Sequence, residues 1–483
     1  MSRPAIRLLG LGLSLGACLA GLPCAAGQEP PPAAGSTLTL DQCLRFALEN
    51  NHRRPATALG LQIAEAQHRQ ALAGYWPQLS IEAGFQHASQ TPDFQFPASD
   101  FATPAQVITV APGMTIPIPA QAIHIPEQDV KLMDPDTTSA KLDATWLLWD
   151  GGMRAGMRRQ SESGVEIARA EVRRTDLEIQ DSVTRYYYGA VLARQLHQLG
   201  QDTLERMEAT LSLTETMYKE GSGRVKKTDW LDNKVIVETI RATVAMLEKN
   251  EAMAQAALAN TMGLDWRQSV VPAEREIPFE PYAGNLETLA GDAYQWNVDW
   301  QELESGIKAL EGAETQAASG HYPKLALTVD LNRYWNGYDA GLSTSSNKSN
   351  WTAGIGVKIP LFSGQLVSSQ VREAHARLEK ARQDQFLLKE GIGLMIRNTL
   401  LGLDAARKSQ AATGAAMDAA VENRELNTRA YESELVDTQD VIKAQLLESL
   451  MTAQHDKDRY DHIALQSQLT LLVGSEVWKQ LQP

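Results

Sequence analysis

The side chains that could do chemistry are scattered along the sequence rather than gathered. Nine histidines occur in 483 residues, yet no His-x-x-x-His pair, nucleophile elbow or glycine-rich phosphate loop after a strand is present. The thirteen methionines form no soft-metal path; Met153 and Met157 share a helical face, the spacing of ordinary packing. Cys18 and Cys24 fall in an N-terminal apolar segment, which leaves Cys43 alone in the folded part. An intrachain disulfide or a cysteine metal cluster is thereby excluded. Catalysis and a bound cofactor are not expected. The charges do offer one regular spacing: Asp229 and Asp232, and again Asp440 and Lys443, stand i, i+3 and so share a helical face.

The start reads as a secretory signal over 1–27, with Arg3 and Arg7, an apolar run, and Ala25-Ala26-Gly27 before a polar 28–38 linker. "LGAC", ending at Cys18, also resembles a lipobox, which makes Cys18 a candidate for lipidation. The chain carries 45 basic and 59 acidic residues, a net charge of −14; loss of 1–27 removes two arginines, leaving 43 − 59 = −16. Nucleic acid is not an expected partner. No later stretch approaches the roughly 18 consecutive apolar residues of a membrane helix. Any crossing of a membrane must be made by strands.

The sequence repeats itself. A shift of 246 positions (286 − 40) lays Leu40 on Leu286, Asn51 on Asn297, Pro77 on Pro323 and Leu79 on Leu325. A shift of 213 lays Gly151 on Gly364 and Tyr218 on Tyr431; one of 211 lays Asp229 on Asp440 and Gly263 on Gly474. This predicts repeat 1 over 39–264, a linker over 265–285, repeat 2 over 286–475 and a tail over 476–483. In repeat 1 strands are expected near 77–87 and 140–149, a long helix over 153–220 and a return helix over 228–262. Their counterparts are strands near 323–333 and 351–361 and helices over 365–433 and 439–473. A helix over 153–220 spans about 100 Å. The return helices are half as long, so each must be extended end to end by a shorter helix, giving four columns per chain. Ala, Gly and Ser in "EGAETQAASG" and "AATGAAMDAAVENREL" permit their close approach.

All four strands alternate. Leu79, Ile81, Ala83 and Phe85 interleave with Ser80, Glu82, Gly84 and Gln86; Trp351, Ala353, Ile355 and Val357 interleave with Thr352, Gly354, Gly356 and Lys358. A soluble half-buried sheet has the same period. The aromatic residues argue for lipid instead: Trp76, Trp146, Trp149, Trp335 and Trp351 lie in or beside the strands, the placing of a membrane-interface belt. Four strands cannot close a barrel, and an open edge is not tolerated in lipid. Three copies supply twelve strands, so the expectation is an obligate homotrimer. The fold class expected is mainly α with a trimeric, 12-stranded transmembrane β-barrel continued by a long α-helical barrel.

"LTLDQCLRFALENN", "YWPQLSIEAGF" with its twin "HYPKLALTVDL", and "WLLWDGG" with its twin "IPLFSGQ" resemble the TolC-like outer-membrane efflux proteins. The resemblance implies a channel-tunnel in the outer membrane of a Gram-negative cell, extending into the periplasm. It would dock onto a periplasmic adaptor protein and an inner-membrane pump and export small molecules passively. It further implies adaptor-contacting tips at Gly221, Ser222, Gly223 and Arg224 and at Glu434 and Leu435. A periplasmic gate is implied at Asp440, Lys443, Asp229, Asp232 and Tyr431. Asp440 matches the first of the family's paired constriction aspartates and Lys443 replaces the second; Glu434 stands where the family usually has glycine. Three copies of Asp440 would favour cations, and Lys443 would neutralise that ring. Asp229 and Asp232 are expected to pair with Arg224 or Lys226. The alternatives are the outer-membrane duct of a type I protein secretion system and a soluble periplasmic coiled-coil scaffold. The proline-rich 88–139 segment is expected to be an irregular outer loop that caps the pore, binds a surface partner or covers the opening.

Overall fold

The computed structural model describes residues 35–90, 93–131, 135–221, 223, 225–282, 286–336, 349–433 and 435–474. Cys18, Ser222, Arg224 and Glu434 lie outside the described residues. The chain begins with β1 (Thr37–Leu38), α1 (Leu40–Asn50), α2 (Arg53–Ala73) and β2 (Gln78–His87). Six short strands follow: β3 (Asp93–Phe96), β4 (Ser99–Thr103), β5 (Gln106–Ala111), β6 (Met114–Ile118), β7 (Gln121–Ile125) and β8 (Gln128–Lys131). Next come β9 (Asp136–Trp149), α3 (Met153–Lys219), α4 (Lys227–Thr261) and β10 (Val271–Pro272). The second half holds α5 (Leu286–Trp296), α6 (Val298–Ala318), β11 (Lys324–Asn336), β12 (Ser349–Lys358), α7 (Leu366–Glu432) and α8 (Thr438–Val473). The described chain is mostly helical.

The long helices α3 and α7 have 67 residues each, about 100 Å of rise. On α3 the buried positions Thr175, Ile179, Val183, Tyr187 and Val191 recur every fourth residue, a stripe most of which packs with residues of α1, α4 and α8. The shorter helices join end to end through two asparagines. Asn51 precedes α2 and donates its side-chain N–H to the Thr261 carbonyl at the end of α4 (2.7 Å); Asn297 precedes α6 and donates to Leu472 near the end of α8 (2.9 Å). Each also accepts a backbone N–H of the helix that follows it, from Arg53 and Trp300 respectively. One side chain thus caps the lower end of one helix and holds the last turn of another. The stacked pairs hold 21 + 35 and 21 + 36 residues against the 67 of their long partners.

Two apolar clusters sit beside these joints. α1 buries Cys43, Phe46 and Ala47 against Ile179, Val183, Leu258 and Met262; α5 buries Leu289 and Ala293 against Ile392, Ile396, Leu469 and Val473. The first is tied down by Tyr187, whose hydroxyl donates to the Leu38 carbonyl and accepts the Ala273 N–H, next to the parallel β1–β10 pair. Close helix approach is concentrated at Gly156 and Gly312, where α3 crosses α6. A Cβ on Gly156 would lie 2.5 Å from the Gly312 carbonyl oxygen, and one on Gly312 would lie 2.8 Å from that of Gly156.

The 88–139 segment differs from the irregular loop expected. β3 pairs with β8, β4 with β7 and β5 with β6, all antiparallel, so it forms a two-stranded ribbon that prolongs the β2–β9 pair. Its prolines read as strand breakers, but in a two-stranded ribbon every strand is an edge. A proline there can turn its missing N–H outward at no cost to the ladder, as Pro117 does opposite Val107.

Candidate functional site

β12, β11, β9 and β2 form one antiparallel sheet in that order, with β12 and β2 at its margins. Pairing sorts the side chains of the central rows. One face carries the rows Leu79–Ala144–Val329–Ala353 and Ile81–Leu142–Leu331–Trp351; the other carries Ser80–Asp143–Asp330–Thr352 and Glu82–Lys141–Asn332–Asn350. Farther along β11 Arg333 falls on the apolar face, over the Trp335 ring, and Tyr334 on the polar one. Both faces are open within one chain: Leu79, Ile81, Phe85, Trp351 and Ile355 on the apolar face are 69–74% exposed, and Ser80, Glu82, Asn350 and Thr352 on the polar face are exposed as well, with the central Asp143 and Asp330 side chains at 21% and 34%. On the polar face Lys141 lies 2.6 Å from Asp143 and 3.7 Å from Asp330. Such a sheet is stable only with hydrocarbon on one side and water on the other.

Aromatic residues mark both ends of the apolar face. Phe85, Trp335 and Trp351 lie at the end away from the helices; Trp76, Trp146, Trp149 and Tyr322 lie at the near end, all exposed. Trp146 donates its indole N–H to the Tyr75 carbonyl (3.0 Å), and Trp149 packs edge-on against Tyr322 (6.3 Å). The two ends are ten residues apart on β11 (335 − 325), about 33 Å of strand, which at a tilt of about 40° is an apolar band about 25 Å high. That matches the hydrocarbon height of an outer-membrane barrel.

Sheet and helices meet at a buried ion pair that sequence reasoning missed. β9 ends at Trp149, and Gly151 and Gly152 take positive φ (68° and 98°) to turn the chain into α3. A Cβ on Gly151 would also strike Tyr322 at 2.5 Å. Asp150 accepts the backbone N–H groups of Gly152 and Arg154 at 3.1 Å each and the Arg154 Nε–H at 2.6 Å. Arg154 donates onward to the carbonyls of Gly74 and Leu148 and stacks on Tyr75. Burial pushes the Asp150 carboxyl up, but the hydrogen bonds from Arg154 and the backbone outweigh it and hold the pKa below its usual value. The Arg154 side chain therefore ties Leu148, next to last in β9, and Gly74 at the end of α2 to the first turn of α3. The i, i+4 acid–base pair across "DGGMR" was the available signal.

At the opposite end the α3–α4 and α7–α8 hairpins turn. Gly221 has φ +78° and is exposed; Gly223 is exposed, and Leu435 is 76% exposed. Asp440 and Lys443 are both exposed on the first turns of α8, with no ion-pair partner within the chain among the described residues. Asp229 does not pair with the Lys226 ammonium group: its carboxylate accepts the Lys226 backbone N–H (2.9 Å) and caps α4, while Asp232 is exposed. Tyr431 points inward. It is 4% exposed, and its hydroxyl bridges Thr214 and Thr438, 2.9 Å from each.

Tyr431 belongs to a polar seam that sequence reasoning also passed over. Gln445 donates to Thr210 (3.1 Å), Thr203 and Ser449 share a hydroxyl contact (2.7 Å), and Arg424 grips Glu448 at 2.9 and 3.3 Å. On α3 the buried residues Thr203, Met207, Thr210 and Thr214 follow 4-3-4 spacing, a coiled-coil seam with hydroxyls where leucines usually stand. That spacing was the signal. A polar seam costs stability relative to leucine and specifies register.

The described residues contain no helix apolar and long enough to cross a membrane and no group of three potential metal ligands. The family model for "Outer membrane efflux protein" matches residues 44–264 and 289–475. The outer membrane efflux protein BepC of Brucella suis is 22% identical over 331 residues, 66% of this chain and 69% of that protein. Among solved structures, the Campylobacter jejuni CmeC outer membrane channel superposes with a TM-score of 0.72 at 14% identity, covering 94% of each chain. The Vibrio cholerae outer membrane protein VceC gives 0.70 at 17% identity, covering 90% of this chain and 96% of that one. The TolC-like fold, the bare apolar sheet and a family match across both halves converge: the chain belongs to the outer membrane efflux protein family and resides in the outer membrane.

Proposed function

We propose that three copies of this chain close their sheets edge to edge into one twelve-stranded barrel, continued into the periplasm by twelve helical columns. This duct receives small molecules from a periplasmic adaptor and an inner-membrane pump and passes them out of the cell. The observation that carries the reading is the sheet: four strands, a bare apolar face, a polar face, and margins at β2 and β12. In hydrocarbon each unpaired amide costs several kcal/mol, so β2 of one copy must pair with β12 of the next. The columns are two tandem units in each chain, a reading supported by the equal lengths of α3 and α7 and the matching roles of Asn51 and Asn297.

At the periplasmic end the exposed tips around Gly221, Gly223 and Leu435, with Ser222, Arg224 and Glu434 beside them in sequence, meet the adaptor. Asp440 and Lys443, exposed and without an ion-pair partner in their own chain among the described residues, form the gate's charged ring between copies; Asp229 and Asp232 flank it. Tyr431 acts within its chain, holding the two hairpins together as they move. BepC is named an efflux protein, and the same role is assigned here. The test is deletion of the gene followed by measurement of dye accumulation. Accumulation restored to normal by the intact chain, but not by one lacking either hairpin tip, is the expected result. Unchanged accumulation in the deletion strain, with no channel formed by the purified protein in planar bilayers, would refute it.

A further inference from the structure

The β3–β8 ribbon leaves the barrel region as a continuation of β2 and β9, linked through the Ala88 N–H and the Pro135 carbonyl (2.8 Å). Its described strands β3, β4 and β5 hold 4, 5 and 6 residues, 15 in all, about 50 Å of strand. An isolated two-stranded ribbon is marginal in water, and this one exposes large apolar side chains along its length. Phe101 stands opposite Ile123 and Ile108 opposite Ile116, and these four are 49–64% exposed. From Phe101 to Pro126 no Asp, Glu, Lys or Arg occurs; Asp93, Asp100, Glu127, Asp129 and Lys131 all lie toward the base.

Two features identify what covers it. The ribbon grows from β2, a margin of the sheet, so in the trimeric reading on which this inference rests it emerges at the seam between copies. The outer part of the ribbon, 101–126, also carries no Asp, Glu, Lys or Arg that burial against a neighbouring copy would have to desolvate. An anionic lipid surface would be met by lysines and arginines, and the outer 26 residues have none (101–126). We propose that the ribbons of the three copies pack on one another through their apolar faces, extending the barrel outside the membrane as a collar of β-structure.

Cysteine cross-linking tests this in the full-length protein in outer membranes. Cys43 does not interfere: it is fully buried, and burial, with Glu274 nearby, pushes its thiol up to about 12. Ile116→Cys lies on the face of the Ile108–Ile116 pair and Thr115→Cys on that of the Thr109–Thr115 pair. With a short bis-maleimide, Ile116→Cys should give several-fold more cross-linked dimer than Thr115→Cys, while native mass shows three copies. Equal or absent cross-linking in an intact trimer would overturn the collar and leave the trimer standing. Quenching of an Ile116→Cys-linked fluorophore by lipid-borne quencher would assign the face to membrane and also overturn it. A single-copy native mass would remove the trimeric reading itself.

Discussion

Asp150→Asn tests whether one buried pair fastens the membrane sheet to the helices. The Asp150 and Arg154 side chains are 7% and 10% exposed. Asparagine keeps the shape and one acceptor oxygen, so a cap on the Gly152 N–H survives. It removes the negative charge and leaves the guanidinium with only the carbonyl oxygens of Gly74 and Leu148. Breaking one side of a buried pair costs about 3–5 kcal/mol; the retained cap and carbonyl contacts reduce the expected loss to about 2–3 kcal/mol. Adding Arg154→Met should recover about 1 kcal/mol or more, because the stranded charge is then gone. The assay is guanidinium unfolding of the detergent-solubilised protein near neutral pH, followed by tryptophan fluorescence. Because the folded-state pKa of Asp150 lies below its unfolded value, its contribution is complete above the ordinary carboxylate pKa of about 3.9. It is lost as pH falls through the folded-state value, so the gap between wild type and variant should close in acid. A loss under about 0.5 kcal/mol, or a gap unchanged by acid, would refute the reasoning.

Gly156→Ala should destabilise by about 1–3 kcal/mol by prising α3 from α6, whereas Gly164→Ala, with open space around its Cβ, should gain about 0.5–1 kcal/mol from helix propensity; thermal melts compare them, and equal effects would contradict the close crossing. Tyr431→Phe should cost about 1 kcal/mol by leaving the buried Thr438 hydroxyl without its partner, while Thr214 keeps its bond to the Thr210 carbonyl, read as a lower melting temperature; an unchanged melt would remove its assigned anchoring role. Asp440→Ala should reduce cation preference in planar bilayers, and an unchanged preference would withdraw that residue from the gate.

What the sequence disclosed follows physical period. Alternation from Leu79 to Phe85 and from Trp351 to Ile359 specifies two-faced strands, and the tryptophans beside them distinguish lipid from a protein core. The mostly helical architecture and the family were legible because the motifs recur in order, twice. The ribbon was not, since Pro97, Pro104, Pro112, Pro117 and Pro119 mask short alternations that edge strands tolerate. The Asp150–Arg154 lock was hidden because an i, i+4 acid–base pair is ordinary on any solvated helix; only burial against Gly74 and Tyr75 gives it weight. The threonine seam on α3 read as polar surface, because hydroxyl side chains conceal a heptad from a hydrophobicity scan. Tyr431 was noticed at the tip, but whether it faces a neighbouring copy or its own chain depends on packing that spacing does not encode.

The most direct test is the native mass of the full chain extracted from outer membranes in mild detergent. Three copies per particle, with the β2 and β12 margins protected from amide exchange, is the predicted result. A stable single copy whose margins exchange freely would contradict the account.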